Sequence, residues 1–138
     1  MADIFDMKEI KMIKTEEQDM EYITLNNGVR MPVLGYGVYQ VSSEECERCV
    51  SDAVSVAYRS IDTAQAYGNE EAVGNAVRKC GVPREELFLT TKVWISNGGY
   101  EKAKISLKES LRKLQAEYID LVLIHQPFND YYGTYRAM

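Results

Sequence analysis

Apolar runs of strand length alternate along this chain with amphipathic stretches of helix length. Two short β-prone runs, 22–25 and 29–31, flank an Asn-Gly pair, which predicts a β-hairpin. After Pro32, further strands are predicted at 34–40, 59–62, 87–93 and 118–124. Helices are predicted between them, at about 42–58, 69–79 and 100–116. Strands that alternate with helices in this way are typical of βα units in a parallel sheet.

The side chains within these segments support the same assignment. Ser42 and Ser43 can cap the first helix, with Glu44 and Glu45 in its first turn. The last strand is almost entirely apolar, so we expect it to be covered on both faces. Apolar stripes predict the buried faces of the other two helices, and their members are Ala72, Val73, Ala76, Val77, Ala103, Leu107, Leu111 and Leu114.

Two parallel architectures fit this alternation, an open doubly wound sheet and part of an eight-fold barrel. A dinucleotide-binding open sheet requires G-x-G-x-x-G after its first strand, and the segment that contains Gly35 and Gly37 lacks the third glycine. The sequence therefore favours the barrel. The polar residues 1–19 carry only a weak helical stripe, which predicts a disordered or weakly helical leader before a single domain at 20–138.

Composition and charge narrow the function classes. The chain has 138 residues, of which 46% are apolar and 27% charged, as in an ordinary globular domain. Its net charge of -5 opposes binding to nucleic acid or to an anionic membrane, and no apolar run approaches the roughly 20 residues of a membrane span. We expect a cytoplasmic protein. Its three cysteines, including the C-x-x-C pair Cys46 and Cys49, are expected to be reduced structural thiols.

Polar side chains stand at the ends of three consecutive predicted strands. Asp62 closes the second strand, Lys92 lies near the end of the third, and His125 follows the fourth. In a barrel these ends converge on one face, so the three residues would meet in one pocket although they are 30 and 33 positions apart. Tyr67, in the loop after Asp62, can join them. Taken singly, each residue fits a cap, an ion pair or a packing role, whereas together they favour a catalytic face.

This group of side chains suits the reduction of a carbonyl. A tyrosine is a poor proton donor near neutrality, but a nearby cation such as Lys92 favours its ionised form. Asp62 would hold the lysine in place, and His125 would hydrogen-bond a substrate oxygen. Since no side chain donates hydride, carbonyl reduction implies a nicotinamide cofactor.

Four stretches covering most of 20–138 resemble the aldo-keto reductase family in order and spacing. The D-x4-Y-G-N-E segment carries the most weight because the strand-end lysine and histidine occur with it. The four stretches are Met31-Pro-Val-Leu-Gly35-Tyr-Gly37, Ile61-Asp62-Thr-Ala-Gln-Ala-Tyr67-Gly68-Asn69-Glu70, Thr91-Lys92-Val-Trp94, and Leu111-x-x-Leu114 followed by Tyr118-Ile-Asp-Leu-Val-Leu-Ile-His125-x-Pro127.

The resemblance implies a (β/α)8 barrel as the fold. It also implies an oxidoreductase that reduces small aldehydes or ketones with NADPH. NADH stays open as the cofactor, because the groups that would read the ribose 2′-phosphate lie in the family's second half, beyond Met138. The implied catalytic residues are Tyr67 as proton donor, Asp62, Lys92 and His125. The implied cofactor contacts are Gly37, Val38, Tyr39 and Asp62. The implied substrate contacts are Tyr39, Trp94 and His125.

Two positions depart from the family's usual pattern. Gln126 stands where many members carry Trp, which changes the expected pocket wall. Val38 stands where Thr is common, which removes a hydroxyl near the expected cofactor. Neither change touches the four implied catalytic positions.

The length sets a further expectation. A (β/α)8 barrel takes about 250 residues, so a hairpin and four βα units, the last incomplete, correspond to its N-terminal half. We expect either a truncated piece of a longer reductase, inactive by itself, or a fragment that pairs with another half, with self-association through the open sheet edges as a further expectation. Two other functions stay open: a Schiff-base aldolase with Lys92 as the nucleophile, and a non-catalytic nucleotide-sensing or interaction module.

Overall fold

The computed structural model describes residues 20–138, so the leader predicted at 1–19 lies outside the described residues. The predicted hairpin is confirmed: β1 (Tyr22–Thr24) and β2 (Arg30–Pro32) pair antiparallel. The turn between them places Gly28 at φ 84°, a conformation that glycine adopts without strain. The Leu25 amide donates to the Val29 carbonyl at 2.9 Å and closes the turn.

The remaining strands form one parallel sheet in chain order. They are β3 (Gly35–Gly37), β4 (Ser60–Asp62), β5 (Phe88–Val93) and β6 (Leu121–Ile124). The helices α1 (Ser43–Ser55), α2 (Glu70–Lys79) and α3 (Tyr100–Leu114) connect successive strands, and α4 (Tyr131–Ala137) follows β6. The four predicted βα units are therefore confirmed. This is the arrangement of half of a parallel barrel.

The first parallel strand is shorter than the predicted 34–40. β3 ends at Gly37 because the chain then turns, with Gln40 in the left-handed region at φ 61°. The Val38 amide donates to the Asp62 carbonyl at 3.0 Å, which ties this turn to the end of β4. The turn brings the end of β3 next to the strand that carries Asp62.

The core lies between the sheet and the inner faces of the helices. Ser42 caps α1 by accepting a hydrogen bond from the Glu45 amide, as predicted. The predicted stripe of α2 is buried throughout. In α3 the two ends of the stripe, Ala103 and Leu114, are buried, but Leu107 and Leu111 are half-buried. Ser110 of α3 is buried as well, and its hydroxyl accepts a hydrogen bond from the side-chain Nε2 of Gln65.

The expectation that the last strand is covered on both faces is wrong. β6 is half-buried, and 40% of Leu123 is exposed. The reason is topological, because β6 pairs only with β5 within residues 20–138 and forms one edge of the sheet. The other edge of this sheet is β3.

The cysteines are thiols on and beside α1 and α2. Burial, together with the neighbouring Cys49, raises the pKa of the Cys46 thiol to about 11. A thiol with so high a pKa is a weak nucleophile at neutral pH. The three cysteines are unpaired, as the sequence predicted. Across residues 20–138, no helix combines the length and the apolar character needed to cross a membrane.

Candidate active site

The carboxyl ends of the parallel strands bring the predicted polar residues together. Asp62 is the last residue of β4, Lys92 lies one residue before the end of β5, and His125 directly follows β6. Tyr67 ends the 3-10 turn Gln65–Tyr67 that leads from β4 to α2. Parallel pairing sets these strand ends side by side, since Asp62 is opposite Gly37 and Lys92 is opposite Leu123.

Lys92 is at the centre of the group. Its ammonium donates to Asp62 Oδ1 at 2.6 Å and to the Thr63 carbonyl at 2.8 Å. The same nitrogen lies 5.0 Å from the centre of the Tyr67 ring. Only 12% of the lysine side chain is exposed, against 40% of the aspartate side chain. The positive charge is thus fixed next to the tyrosine, and solvent reaches the carboxylate more easily than the ammonium.

His125 contacts two aromatic rings edge-on. Its ring centre lies 5.7 Å from that of Tyr67 and 5.2 Å from that of Trp94. Burial lowers the pKa of His125 below its ordinary value, the charge of Lys92 lowers it further, and Asp62 opposes both. Its Nδ1 atom is buried without a hydrogen-bond partner among residues 20–138. Burial and Lys92 thus favour the neutral imidazole, and because Nδ1 is buried, Nε2 is the nitrogen available to a ligand.

Two of these side chains, Tyr67 and His125, line a cavity of about 450 Å³. All three residues expected to contact substrate, Tyr39, Trp94 and His125, line it together with Tyr67. Tyr39 contributes most of its ring to the surface, being 66% exposed, and its ring centre lies 5.0 Å from that of Tyr67. The cavity therefore has two aromatic walls, Tyr39 and Trp94, beside Tyr67 and His125.

The residues expected to contact the cofactor divide into two groups. Gly37 is exposed at the end of β3, and a Cβ placed on it would meet no atom within 4 Å. Val38 is fully buried in the core, its amide donates to the Asp62 carbonyl, and its own carbonyl accepts from Asn69. The Val38 side chain thus packs in the core with residues of the helices, and a cofactor contact at Val38 stays a prediction.

Several residues of the site were not predicted from the pattern of strand ends. Ala66 lines the cavity beside Tyr67 and His125, together with Gln126, the position at which the resemblance implied a changed pocket wall. Gln65 and Asn69 form hydrogen bonds that join the loop of Tyr67 to its two neighbours. Their position in the sequence could have identified them, because these two side-chain amides lie two residues before and two residues after Tyr67.

The titration of His125 tests this electrostatic arrangement directly. The chain has one histidine and one tryptophan, so the pH dependence of Trp94 fluorescence reports His125 without ambiguity. A protonated imidazole quenches a nearby indole, and we expect the quenching midpoint to lie below pH 6.5 because burial and Lys92 lower the pKa of His125. Lys92→Met is expected to raise the midpoint, and Asp62→Asn to lower it.

The same shift has a consequence for stability. The unfolded chain takes up the His125 proton at a higher pH than the folded chain, so this residue contributes stability above about pH 6.5 that is lost as the pH falls through the folded value. His125→Gln should remove that part of the pH dependence of urea unfolding. A midpoint above pH 6.5 in the fluorescence titration contradicts the arrangement.

Parallel βα units with Asp62, Tyr67, Lys92 and His125 grouped at the carboxyl face of the sheet form half of a barrel with a candidate active site at its usual location. The family model described as aldo/keto reductase family matches residues 33–138. The chain belongs to the aldo-keto reductase family. The recognition made from its motifs is confirmed.

Individual relatives agree with this assignment. Glyoxal reductase from Bacillus subtilis is 48% identical over 118 residues, which cover 84% of this chain and 43% of that protein. An aldo/keto reductase structure from Brucella melitensis matches with a TM-score of 0.83 and 45% identity, over 86% of this chain and 46% of that one. A Bombyx mori aldo-keto reductase in complex with NADP matches with a TM-score of 0.80 and 36% identity, over 86% and 45%. The chain thus spans less than half the length of the relatives it matches.

Proposed function

We propose that the protein containing this chain reduces small aldehydes and ketones to alcohols with NADPH, with Tyr67 as the proton donor. The observation that carries the proposal is the group of Lys92, Asp62 and His125 at the carboxyl ends of parallel strands, with Tyr67 beside them on the loop after β4. The ammonium lies 2.6 Å from the carboxylate and 5.0 Å from the centre of the phenol ring. An active site in this location is usual for barrel enzymes.

The residues at the end of β3 fit a nicotinamide cofactor. Gly37 leaves open space where a side chain would stand, and it lies opposite Asp62 in the sheet register. Gly37, Tyr39 and Asp62 would therefore border the reactive ring. The bound cofactor supplies hydride to the carbonyl carbon. NADPH is proposed over NADH because the Bombyx mori relative is a complex with NADP.

Tyr67 would complete the reduction by giving its hydroxyl proton to the carbonyl oxygen. Hydride forms the new C–H bond, the carbonyl π pair moves to oxygen, and the tyrosine proton forms the O–H bond. The phenolate left behind takes a proton from solvent. Lys92 stabilises that phenolate because its ammonium is fixed by Asp62 and the Thr63 carbonyl rather than free in solvent.

His125 would orient the substrate. A neutral imidazole with Nδ1 unprotonated carries its proton on Nε2 and donates a hydrogen bond to the carbonyl oxygen. The low pKa of His125, caused first by burial and then by Lys92, favours this neutral form. The aromatic walls Tyr39 and Trp94 then hold the rest of a small carbonyl compound. Glyoxal is the first substrate to test, because the Bacillus subtilis relative is a glyoxal reductase.

The Schiff-base alternative requires a neutral amine at Lys92. In the structure Lys92 Nζ instead donates to Asp62 Oδ1 at 2.6 Å and to the Thr63 carbonyl at 2.8 Å, which are the contacts of an ammonium, and an ammonium has no lone pair with which to attack a carbonyl. The reductase proposal is therefore the better supported of the two. The interaction-module alternative makes a different demand, because it needs nucleotide binding without turnover.

A turnover assay tests the proposal and separates the three functions. The assay uses the protein that contains this chain. Oxidation of NADPH is followed by absorbance with glyoxal, methylglyoxal and an aromatic aldehyde, and each product is identified as the alcohol. We expect NADPH loss that matches alcohol formation. Borohydride trapping of a carbonyl on Lys92, without NADPH oxidation, would support the aldolase instead. NADPH binding with no turnover of any carbonyl would support the interaction module.

A further inference from the structure

We infer that Gln65 and Asn69 are positioning residues for the two aromatic walls of the cavity: Asn69 holds Tyr39 against Tyr67, and Gln65 holds Trp94 against His125. The inference rests on the proposed site. The two amides lie on either side of Tyr67 in sequence, and each reaches into a different neighbouring loop. Neither residue lies among the catalytic or binding residues proposed above, and both act through the side chains they position.

Asn69 connects the loop of Tyr67 to the turn that carries Tyr39. Its Nδ2 donates to the carbonyls of Val38 and Val41, at 2.9 and 3.0 Å, and its Oδ1 accepts from the Thr63 hydroxyl at 2.8 Å. The side chain is 1% exposed, so no water replaces these bonds. Both carbonyls belong to the turn after β3, and one amide group therefore spans the turn on either side of Tyr39.

The turn held by Asn69 needs such support. Gln40, the residue after Tyr39, has φ 61°, a conformation that costs energy for any residue other than glycine. Tyr39 itself is 66% exposed, so packing against the core does not fix its ring. The contact of Tyr39 with Tyr67, at 5.0 Å between ring centres, thus depends on where the turn is held.

Gln65 makes the equivalent connection on the other side. Its Oε1 accepts from the Trp94 amide and from Asn97 Nδ2, both at 2.9 Å. Its Nε2 donates to the Ser110 hydroxyl on α3 at 3.1 Å. One side chain therefore fixes the first residue after β5 and the following 3-10 turn relative to Tyr67. The contact of Trp94 with His125, at 5.2 Å, is the geometry that this connection sets.

Each of the two side-chain amides holds a different wall: Asn69 holds Tyr39, and Gln65 holds Trp94. This one-to-one relation distinguishes a positioning residue from a residue that only stabilises the fold. A residue that only stabilises the fold would affect both walls alike when it is replaced. Two local connectors should each affect one wall. Misplacement of a binding wall by about 1 Å is enough to reduce an enzyme's rate by up to about 100-fold.

Fluorescence from one tryptophan at a time tests this one-to-one relation without any need for turnover. Trp94 is the natural probe of one wall, since the chain has a single tryptophan. A second protein, Tyr39→Trp combined with Trp94→Phe, places the probe on the other wall. Gln65→Met removes the acceptor of the Trp94 amide, and Asn69→Asp removes both donors to the turn while keeping the acceptor for Thr63.

We expect Gln65→Met to change acrylamide quenching of Trp94 at least twofold and to leave the probe at position 39 unchanged. Asn69→Asp should do the reverse. Gln65→Glu keeps the acceptor oxygen and should restore the Trp94 signal. Should Asn69→Asp fail to fold, Thr63→Val offers a milder change, because it removes only the donor to Asn69 Oδ1, and it should move the probe at position 39 in the same direction.

Asp120→Asn serves as the matched control. Asp120 accepts from Arg84 at 2.6 Å and from the Leu89 amide at 2.8 Å, at the opposite end of the strands. Its replacement should lower stability and move neither probe. Equal movement of both probes in every variant, or no movement of either probe, overturns the inference. In a protein that contains this chain within a complete barrel and that turns over, Gln65→Met and Asn69→Asp should lower kcat/KM about tenfold or more. Absence of turnover in the wild type of that complete protein contradicts the proposed function and leaves the fluorescence result valid.

Discussion

Tyr67→Phe is expected to lower kcat/KM for carbonyl reduction by roughly 100- to 10,000-fold, the range that general acid catalysis contributes. The substitution removes one hydroxyl and keeps the ring, so the contacts with Tyr39 and His125 at 5.0 and 5.7 Å are preserved. Binding of NADPH should change little, because the phenol supplies a proton rather than a cofactor anchor. Steady-state rates and a cofactor-binding titration on the same preparation measure both effects.

Tyr36→Phe is the matched control for this variant. Tyr36 lies on β3 and its ring contacts Tyr58 at 5.7 Å, away from the cavity. It loses the same atom as Tyr67→Phe, and its turnover should stay within a factor of about two of wild type. Turnover of Tyr67→Phe close to the wild-type rate would contradict the assignment of Tyr67 as the proton donor.

Lys92→Met should have the second-largest effect, a loss of roughly 100- to 1,000-fold in kcat/KM. The ammonium is the charge that stabilises the phenolate, and removing one preorganised electrostatic group commonly costs that much. The effect on folding should be small by comparison. Its partner Asp62 is 40% exposed and can be hydrated, so the free energy of unfolding should fall by about 1 kcal/mol or less. Turnover kinetics and urea unfolding give the two quantities.

Lys92→Arg separates the reductase proposal from the Schiff-base alternative. Arginine keeps the positive charge and the ion pair but cannot form an imine with a carbonyl. We expect it to retain more activity than Lys92→Met. Turnover in Lys92→Met equal to wild type would contradict the proposed role of the charge, whereas complete loss in Lys92→Arg together with borohydride trapping in wild type would favour the aldolase.

The regular elements could be predicted because the signals for them are local. An Asn-Gly pair between β-prone runs specified the hairpin, and strand-length apolar runs between amphipathic stretches specified the parallel βα units. The strand-end positions of Asp62, Lys92 and His125 then followed from the topology alone, since parallel strands end at one edge of the sheet. The family could be recognised for the same reason, because its motifs occupy those ends.

Other features depend on which segments become neighbours. The burial of Val38 is one example, because the chain turns after Gly37 and places this side chain in the core with residues of the helices. β6 was expected to be covered on both faces. Within 20–138 it is instead an edge strand that pairs only with β5, and Leu123 is 40% exposed. Helical periodicity likewise missed Ser110, which is buried because a glutamine 45 positions away in the chain bonds to it.

The sequence by itself therefore determined the order of elements, the family and the residue types at the strand ends. The tertiary structure decided how those residues meet: the 2.6 Å ion pair of Lys92, the buried Nδ1 of His125, and the amides of Gln65 and Asn69 that join three loops. The physical reason is the separation along the chain over which each interaction acts. Periodicity and turn chemistry act over a few residues, whereas Asn69 bonds to a carbonyl 31 positions away and Gln65 to an amide 29 positions away, and such bonds exist only once the sheet has set the loops side by side.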